Sequence, residues 1–349
     1  MRRLEDVEPI DFRADERGFN FETDFSLPYG ETLCNFRYSF PHQDSMSRKK
    51  SPPVAAAPNG TNVGHIIIGQ DVGLAYAERG DGPPVVFIPH WTFTKEAFTY
   101  QLNALSGRYR VICYDPRSQG ESSFSHEGND YLTHAHDLAS LLETIGAVRP
   151  VLVGWGTGAL TAWNYVRLKG PQAIAGMVAI DMPPQPLSAH DSDWREGTLD
   201  EVAAIHTLFL RDTRGLETYL RRTIETTMVE RALADDELTG MLSYSLRTSP
   251  LVAAQLFASA MFADLTNAAV ATARAVPTLF FLASARAPAA IETIERLMPE
   301  ARYVTFGGRM MFWEHHAAFN HVLSEFIEEQ MLAAANAAAS NRIATTETL

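Results

Sequence analysis

The residues best arranged for chemistry lie in the run Val151-Leu152-Val153-Gly154-Trp155-Gly156-Thr157-Gly158-Ala159. An apolar, strand-like stretch passes through a glycine-rich turn into a helical one. Small residues two positions either side of such a turn lift its apex side chain above a sheet, where it attacks carbonyl groups. Here the small residues are Gly154 and Gly158, and the apex is Gly156, which has no side chain. Covalent catalysis from this apex is excluded, yet the backbone remains useful. The apex demands φ > 0, which strains a residue bearing a Cβ by ~1–2 kcal/mol, and glycine removes that strain. The N–H of Thr157 opens a helix and is a donor for a carbonyl oxygen or a carboxylate.

The elements that must position this turn follow a regular order. His65–Ile68 and Leu74–Glu78 read as an antiparallel pair. Pro84–Pro89, Arg110–Tyr114, Pro150–Gly154, Ala173–Ile180, Val276–Leu282 and Arg302–Phe306 read as buried strands. Between them lie helical patterns at Lys95–Leu105, Asn129–Ile145, Thr157–Leu168 and Ile291–Leu297, with a final helix over Trp313–Leu332. Strands alternating with helices imply a parallel sheet covered on both faces. The alternation pauses from Asp191 to about Leu265, where the pattern is almost all helical and reads as a cap over the sheet. Residues 1–60 are an extension: an acidic, phenylalanine-containing segment, then a basic and proline-rich linker opening at Met46, an alternative start. That segment reads either as disordered or as docking through its phenylalanines.

Bulk composition narrows the classes. The chain has 349 residues, 46% hydrophobic and 20% charged, enough for a large core. A formal charge of −13 argues against a nucleic-acid partner. Two cysteines make no disulfide framework, and no Cys/His spacing suits a metal. His134 and His136 stand two apart, which points them to different helix faces, and they read as a solvated face. No apolar run matches a membrane span, and the charged first residues carry no secretory signal, so the expected compartment is the cytoplasm. No cofactor is expected. A homo-oligomer is compatible with the sequence.

Three segments carry a family resemblance. Phe-Ile-Pro-His-Trp-Thr-Phe at 87–93, Tyr-Asp-Pro-Arg-Ser-Gln-Gly-Glu-Ser at 114–122 and the turn at 151–159 resemble, in order and spacing, the α/β-hydrolase fold superfamily over roughly residues 64–335. The resemblance implies an α/β fold: a mostly parallel eight-stranded sheet with helices on both faces and a helical cap. The expected core is 61–188 and 266–335, the cap 189–265, and the flexible tail 336–349. Asp193-Trp194-Arg195-Glu196-Gly197-Thr198 also resembles the cap entrance of small-molecule-processing members, including cofactor-free ring-cleaving dioxygenases.

A working member needs a nucleophile, an acid and a histidine, in that chain order. Gly156 stands at the nucleophile position and Arg309, in Gly307-Gly308-Arg309-Met310, at the histidine position. The usual acid loop, Ala283–Ala287, has no carboxylate, and Asp181 matches the alternative acid position one strand earlier. The family's His-Gly is Pro89-His90, and the first glycine of its next motif is Ser118.

The resemblance therefore implies a degenerate triad. His90, Asp181 and Arg309 are the candidate catalytic residues. Trp91, Phe93, Trp155, Gly156, Thr157, Met310 and Phe312 are the candidate substrate-binding residues, with the N–H groups of Thr157 and Trp91 as a surviving oxyanion hole. The Thr157 side chain is expected to point along its helix, away from the pocket. Arg309 facing Asp181 reads either as a buried salt bridge or as a receptor for a substrate carboxylate. The expected function is a non-hydrolytic, cofactor-free reaction (epimerisation, isomerisation, cyclisation or elimination) on a small organic or short-peptide substrate. The alternatives are a non-catalytic binding or partner subunit, and a hydrolase with a relocated nucleophile.

Overall fold

Eight runs rich in β-branched and aromatic residues build one sheet in the computed structural model: β1 Asn62–Ile68, β2 Val72–Arg79, β3 Pro84–Ile88, β4 Arg110–Tyr114, β5 Val151–Trp155, β6 Gly176–Ile180, β7 Thr278–Leu282 and β8 Arg302–Thr305. Their order across the sheet is β8-β7-β6-β5-β3-β4-β2-β1. β2 is antiparallel to β1 and β4, and all other pairs are parallel. Every residue of β5, β6 and β7 is buried, as central parallel strands covered on both faces must be. The structure describes residues 60–69, 72–190, 192–211 and 214–329, together with a small ribbon pairing Ala14–Asp15 with Gly18–Phe19. The remainder of the expected extension and the tail lie outside the described residues. The chain divides into two units, Met1–Ala55 and Ala56–Leu349, and the sheet and its helices belong to the second.

The flanking helices include α1 Thr99–Leu105, α2 Tyr131–Thr144 and α3 Gly158–Lys169. Between β6 and β7 come α4 Leu199–Arg211, α5 Gly215–Thr223, a π-helical turn Ile224–Met228, α6 Asp235–Ser245, α7 Pro250–Met261 and α8 Thr266–Ala275. No single described helix is long and apolar enough to cross a membrane.

Three local expectations need correction. The helix over Lys95–Leu105 begins as a 3-10 turn, Lys95–Phe98, because its first residue is tied elsewhere. Lys95 N–H donates to Asp115 Oδ1 at 2.8 Å, and its ammonium bonds Asp115, Glu121 and Glu96 at 2.9, 2.7 and 3.1 Å. Those three carboxylates lie within 4.8 Å of one another, a spacing that would suit a cation, and Lys95 supplies one. With three anions around it, its pKa rises above the ordinary lysine value despite burial. The final helix breaks after Met311–Glu314 at His315 and resumes over residues 316–329. On α2, His136 is exposed as expected, but His134 is buried, its ring 5.4 Å from that of Tyr131, so the two histidines do not share a solvated face.

Candidate functional site

The turn after β5 places Gly156 at φ +49°, its N–H donating to Ile180 O at 2.9 Å. Its flanking glycines are needed for close approach. A Cβ on Gly154 would lie 2.5 Å from Ala159 N, and one on Gly158 would lie 2.2 Å from Ile88 O. The apex itself is crowded from outside the turn. A Cβ on Gly156 would meet His90 Nδ1 at 2.3 Å, so the imidazole fills the volume where an apex side chain would stand.

His90 and Thr157 then close the backbone donors. Thr157 N–H donates to His90 Nδ1 at 3.1 Å, and Trp91 N–H donates to Thr157 Oγ1 at 2.8 Å. The expected pair of open donors is thus satisfied within the protein. Thr157 is among the residues lining the cavity, and its hydroxyl is engaged by Trp91 N–H. Since Nδ1 accepts, the hydrogen-bond pattern assigns the proton of neutral His90 to Nε2. Burial, helped by Arg309 and Arg286 and opposed by Glu196, lowers the His90 pKa from 6.5 to about 3. The ring is neutral at physiological pH.

The opposite side of the site is charged. Arg309 Nη1 and Nη2 donate to the two oxygens of Glu196, each at 2.9 Å, and Nη2 also reaches Asp181 O at 3.0 Å. Arg309 Nε lies 2.8 Å from Asp181 Oδ2, an ionic contact too bent for a hydrogen bond. Arg286 bonds Glu196 Oε1 at 2.8 Å and sits 3.5 Å from Asp181 Oδ2. Asp181 follows β6 in a left-handed conformation, φ +48°, with Oδ1 accepting from Ala283 N–H at 3.2 Å. Two guanidiniums and two carboxylates form a neutral cluster in which Asp181 and Arg309 are buried and Glu196 and Arg286 half-buried. Burial alone would raise the Glu196 pKa, but Arg286 and Arg309 overcome it and hold it at about 2. Glu196 and Asp181 likewise outweigh burial and keep Arg309 charged, above the ordinary arginine range.

A cavity of about 50 Å³ separates the two sides. Its apolar walls come from Trp91 and Phe93 and from cap residues including Tyr219, Met228, Phe257 and Met261. Trp91, Phe209, Tyr219 and Phe257 are all in mutual ring contact, with centroids 5.3–6.3 Å apart. Trp91 Nε1–H donates to Ala253 O on α7 at 2.8 Å and so ties the cap to the loop after β3. A second tie joins the π-helical turn to the Arg309 loop: Arg309 N–H to Thr227 O at 3.3 Å and Met310 N–H to Met228 O at 2.7 Å.

Of the residues expected from sequence, His90, Trp91, Phe93, Thr157 and Arg309 line the cavity. Asp181 does not; it lies behind Arg309, fully buried. Gly156 is covered by His90. Trp155, Met310 and Phe312 are core instead of wall. Trp155 is sealed by Phe93, Phe98 and Phe312, with ring centroids 4.7, 6.3 and 4.9 Å away. Sequence reasoning missed Glu196, Arg286 and Tyr219. A signal for Glu196 was present: two arginines in the acid and histidine loops, with Asp181 alone nearby, leave one positive charge in need of a partner.

A mostly parallel sheet with this strand order, a strand–glycine turn–helix at its centre and helices on both faces define an α/β fold. Residues 83–306 match the family model described as alpha/beta hydrolase fold, and the chain belongs to that family. It is 33% identical over 106 residues to the AB hydrolase superfamily protein YisY of Bacillus subtilis, covering 30% of this chain and 40% of that protein. It is 31% identical over 134 residues to a non-heme chloroperoxidase of Streptomyces lividans, 38% of this chain and 49% of that one. The chain thus spans between two-fifths and half the length of these curated relatives. Among solved structures, the bromoperoxidase of Bacillus anthracis superposes with a TM-score of 0.68 at 22% identity, over 76% of this chain and 100% of that one.

Proposed function

We propose that this chain holds a small organic molecule beneath its cap and does not hydrolyse it. The hydrogen bond from Thr157 N–H to His90 Nδ1 carries this reading. It gives the donor that acyl transfer needs to an internal acceptor, and it leaves His90 presenting N–H, not a lone pair, to the cavity. A molecule with one hydrogen-bond acceptor and an apolar body suits such a wall.

The finer expectation is proton transfer, as in epimerisation, isomerisation, cyclisation or elimination. That chemistry needs a base near the acidic carbon. His90 is a donor here and a weak base. Glu196 is held between two arginines. Glu201, at the cavity wall, accepts from Thr198 N–H and hydroxyl, which hold its carboxyl below the usual range. These features favour recognition over turnover. Some relatives carry hydrolase names, among them the epoxide hydrolase A of Mycobacterium tuberculosis, 35% identical over 121 residues. Thr157 at the cavity wall is the one observation on the side of hydrolysis by a relocated nucleophile. Its hydroxyl oxygen accepts from Trp91 N–H and bonds no base.

The test treats the purified chain with a fluorophosphonate and with p-nitrophenyl acetate. The expected results are an unchanged intact mass and no ester turnover above buffer. A molecule released on denaturation and identified by mass should be retained less by His90→Phe. A covalent adduct at Thr157 would overturn the reading.

A further inference from the structure

Arg309 and Arg286 already hold a carboxylate, and it belongs to the protein. The two Arg309 amino groups meet both oxygens of Glu196 side by side at 2.9 Å, and Arg286 adds a third contact at 2.8 Å. This fork is how guanidinium groups grip free carboxylates. We infer that Glu196 stands in for a ligand carboxylate: the Arg286–Arg309 pair is the recognition element for a small monocarboxylic acid, which takes its place when the Glu196 side chain rotates away.

Arg309 does not depend on Glu196 for its position. Its Nε contacts Asp181 Oδ2 at 2.8 Å, its Nη2 donates to Asp181 O, and its backbone N–H donates to Thr227 O. The guanidinium therefore stays at the cavity wall when the glutamate leaves. Charge then demands a replacement. With Glu196 the cluster holds two cations and two anions; without it, Arg309 keeps Asp181 and a net positive charge is left on the half-buried Arg286 beside it. An entering carboxylate restores neutrality.

The carrier of Glu196 is suited to yielding. Glu196 lies on neither a helix nor a strand, in the connection between β6 and α4. Glu196 N–H donates to Pro186 O at 2.7 Å and Ser188 N–H to Gly197 O at 3.2 Å, so the backbone is held while the side chain keeps its torsional freedom. Glu196, Gly197 and Glu201 all line the cavity, which gives the departing carboxylate a path. The size follows from the cavity: about 50 Å³ plus the volume vacated by the carboxylate admits an acid of a few heavy atoms. The inference rests on the cavity being a ligand site, the reading proposed above.

The experiment uses the full chain, as wild type, Glu196→Ala, Glu196→Gln and Glu196→Ala with Arg309→Met. The probes are sodium acetate and sodium propionate, against acetamide, propionamide and sodium chloride at equal ionic strength. Calorimetric titration should show propionate binding Glu196→Ala at least about tenfold more tightly than wild type, with Glu196→Gln in between and the amides not binding. Adding Arg309→Met should abolish the binding. If Glu196→Ala lacks a cooperative thermal transition in chloride, propionate should restore it and propionamide should not. Equal affinity for wild type and Glu196→Ala, binding that survives Arg309→Met, or absent rescue would each overturn the inference. If the carboxylates fail while His90→Phe still releases a retained molecule, only this inference falls. If His90→Phe releases nothing either, the ligand-site reading falls with it.

Discussion

The two sides of the cavity are built by opposite means. At the ends of β3 and β5, neutral groups interlock: an imidazole fills the space over a glycine, and each hydrogen bond closes on the next residue. At the ends of β6, β7 and β8, four charges from separate segments balance one another. The first side is specified by volume, and the second by pairing. Volume is unforgiving of one added atom, while pairing is unforgiving of one lost charge.

Three perturbations would break or sharpen this contrast. The largest effect belongs to the charged side. Arg309→Met leaves Asp181 and Glu196 facing Arg286 alone, and should destabilise the fold by about 3–5 kcal/mol in urea unfolding. A loss below about 1 kcal/mol would mean that the cluster is already solvated. Gly156→Ser comes next. The new Cβ strains a φ of +49° and meets the imidazole, for an expected loss of about 2–4 kcal/mol. Combined with His90→Gly, the loss should be smaller than the sum of the two single changes. Strict additivity would show that the ring does not occupy the apex volume.

The smallest effect is the dependence on pH, and it separates the sides. His90 and the buried His134 both titrate at about 3 when folded and near 6.5 when unfolded. The unfolded chain therefore binds protons first, and stability falls as pH drops from 6.5 towards 3. Each histidine should contribute about 1 kcal/mol of loss between pH 7.5 and 5.5. Glu196, at about 2 against 4.5, contributes stability that is present above pH 4.5 and lost as pH falls from there towards 2. His90→Phe should roughly halve the loss between pH 6.5 and 4.5, leaving the share of His134, whereas Glu196→Gln should alter only the fall below pH 4.5. An effect of Glu196→Gln between pH 6.5 and 4.5 would join what the geometry separates.

The strands and the central turn were legible because their signals are local: apolar runs of the right length, and glycines at fixed offsets. Asp181 and Arg309 were found through spacing along a familiar order of elements, and His90 through its place in the loop after β3. What could not be read was direction. Trp155 and Phe312 look alike in sequence whether they face a cavity or a core, and only the packing of Phe98 and Phe319 around them decides. Glu196 was hidden for a different reason. Its partners come from loops 90 and 113 residues further along the chain, so its role depends on closure of the whole sheet. His134 was misread because the surroundings of a helix, not its periodicity, choose the buried side.

The crowding of His90 against Gly156 also orders the routes by which this sequence can change. A serine arriving at 156 first would collide with the ring, and a glycine arriving at 90 first would open a void and free the Thr157 N–H. Neither step is favourable until the other has been taken. The two positions are therefore tied to each other: each single replacement costs stability that only the second replacement would restore.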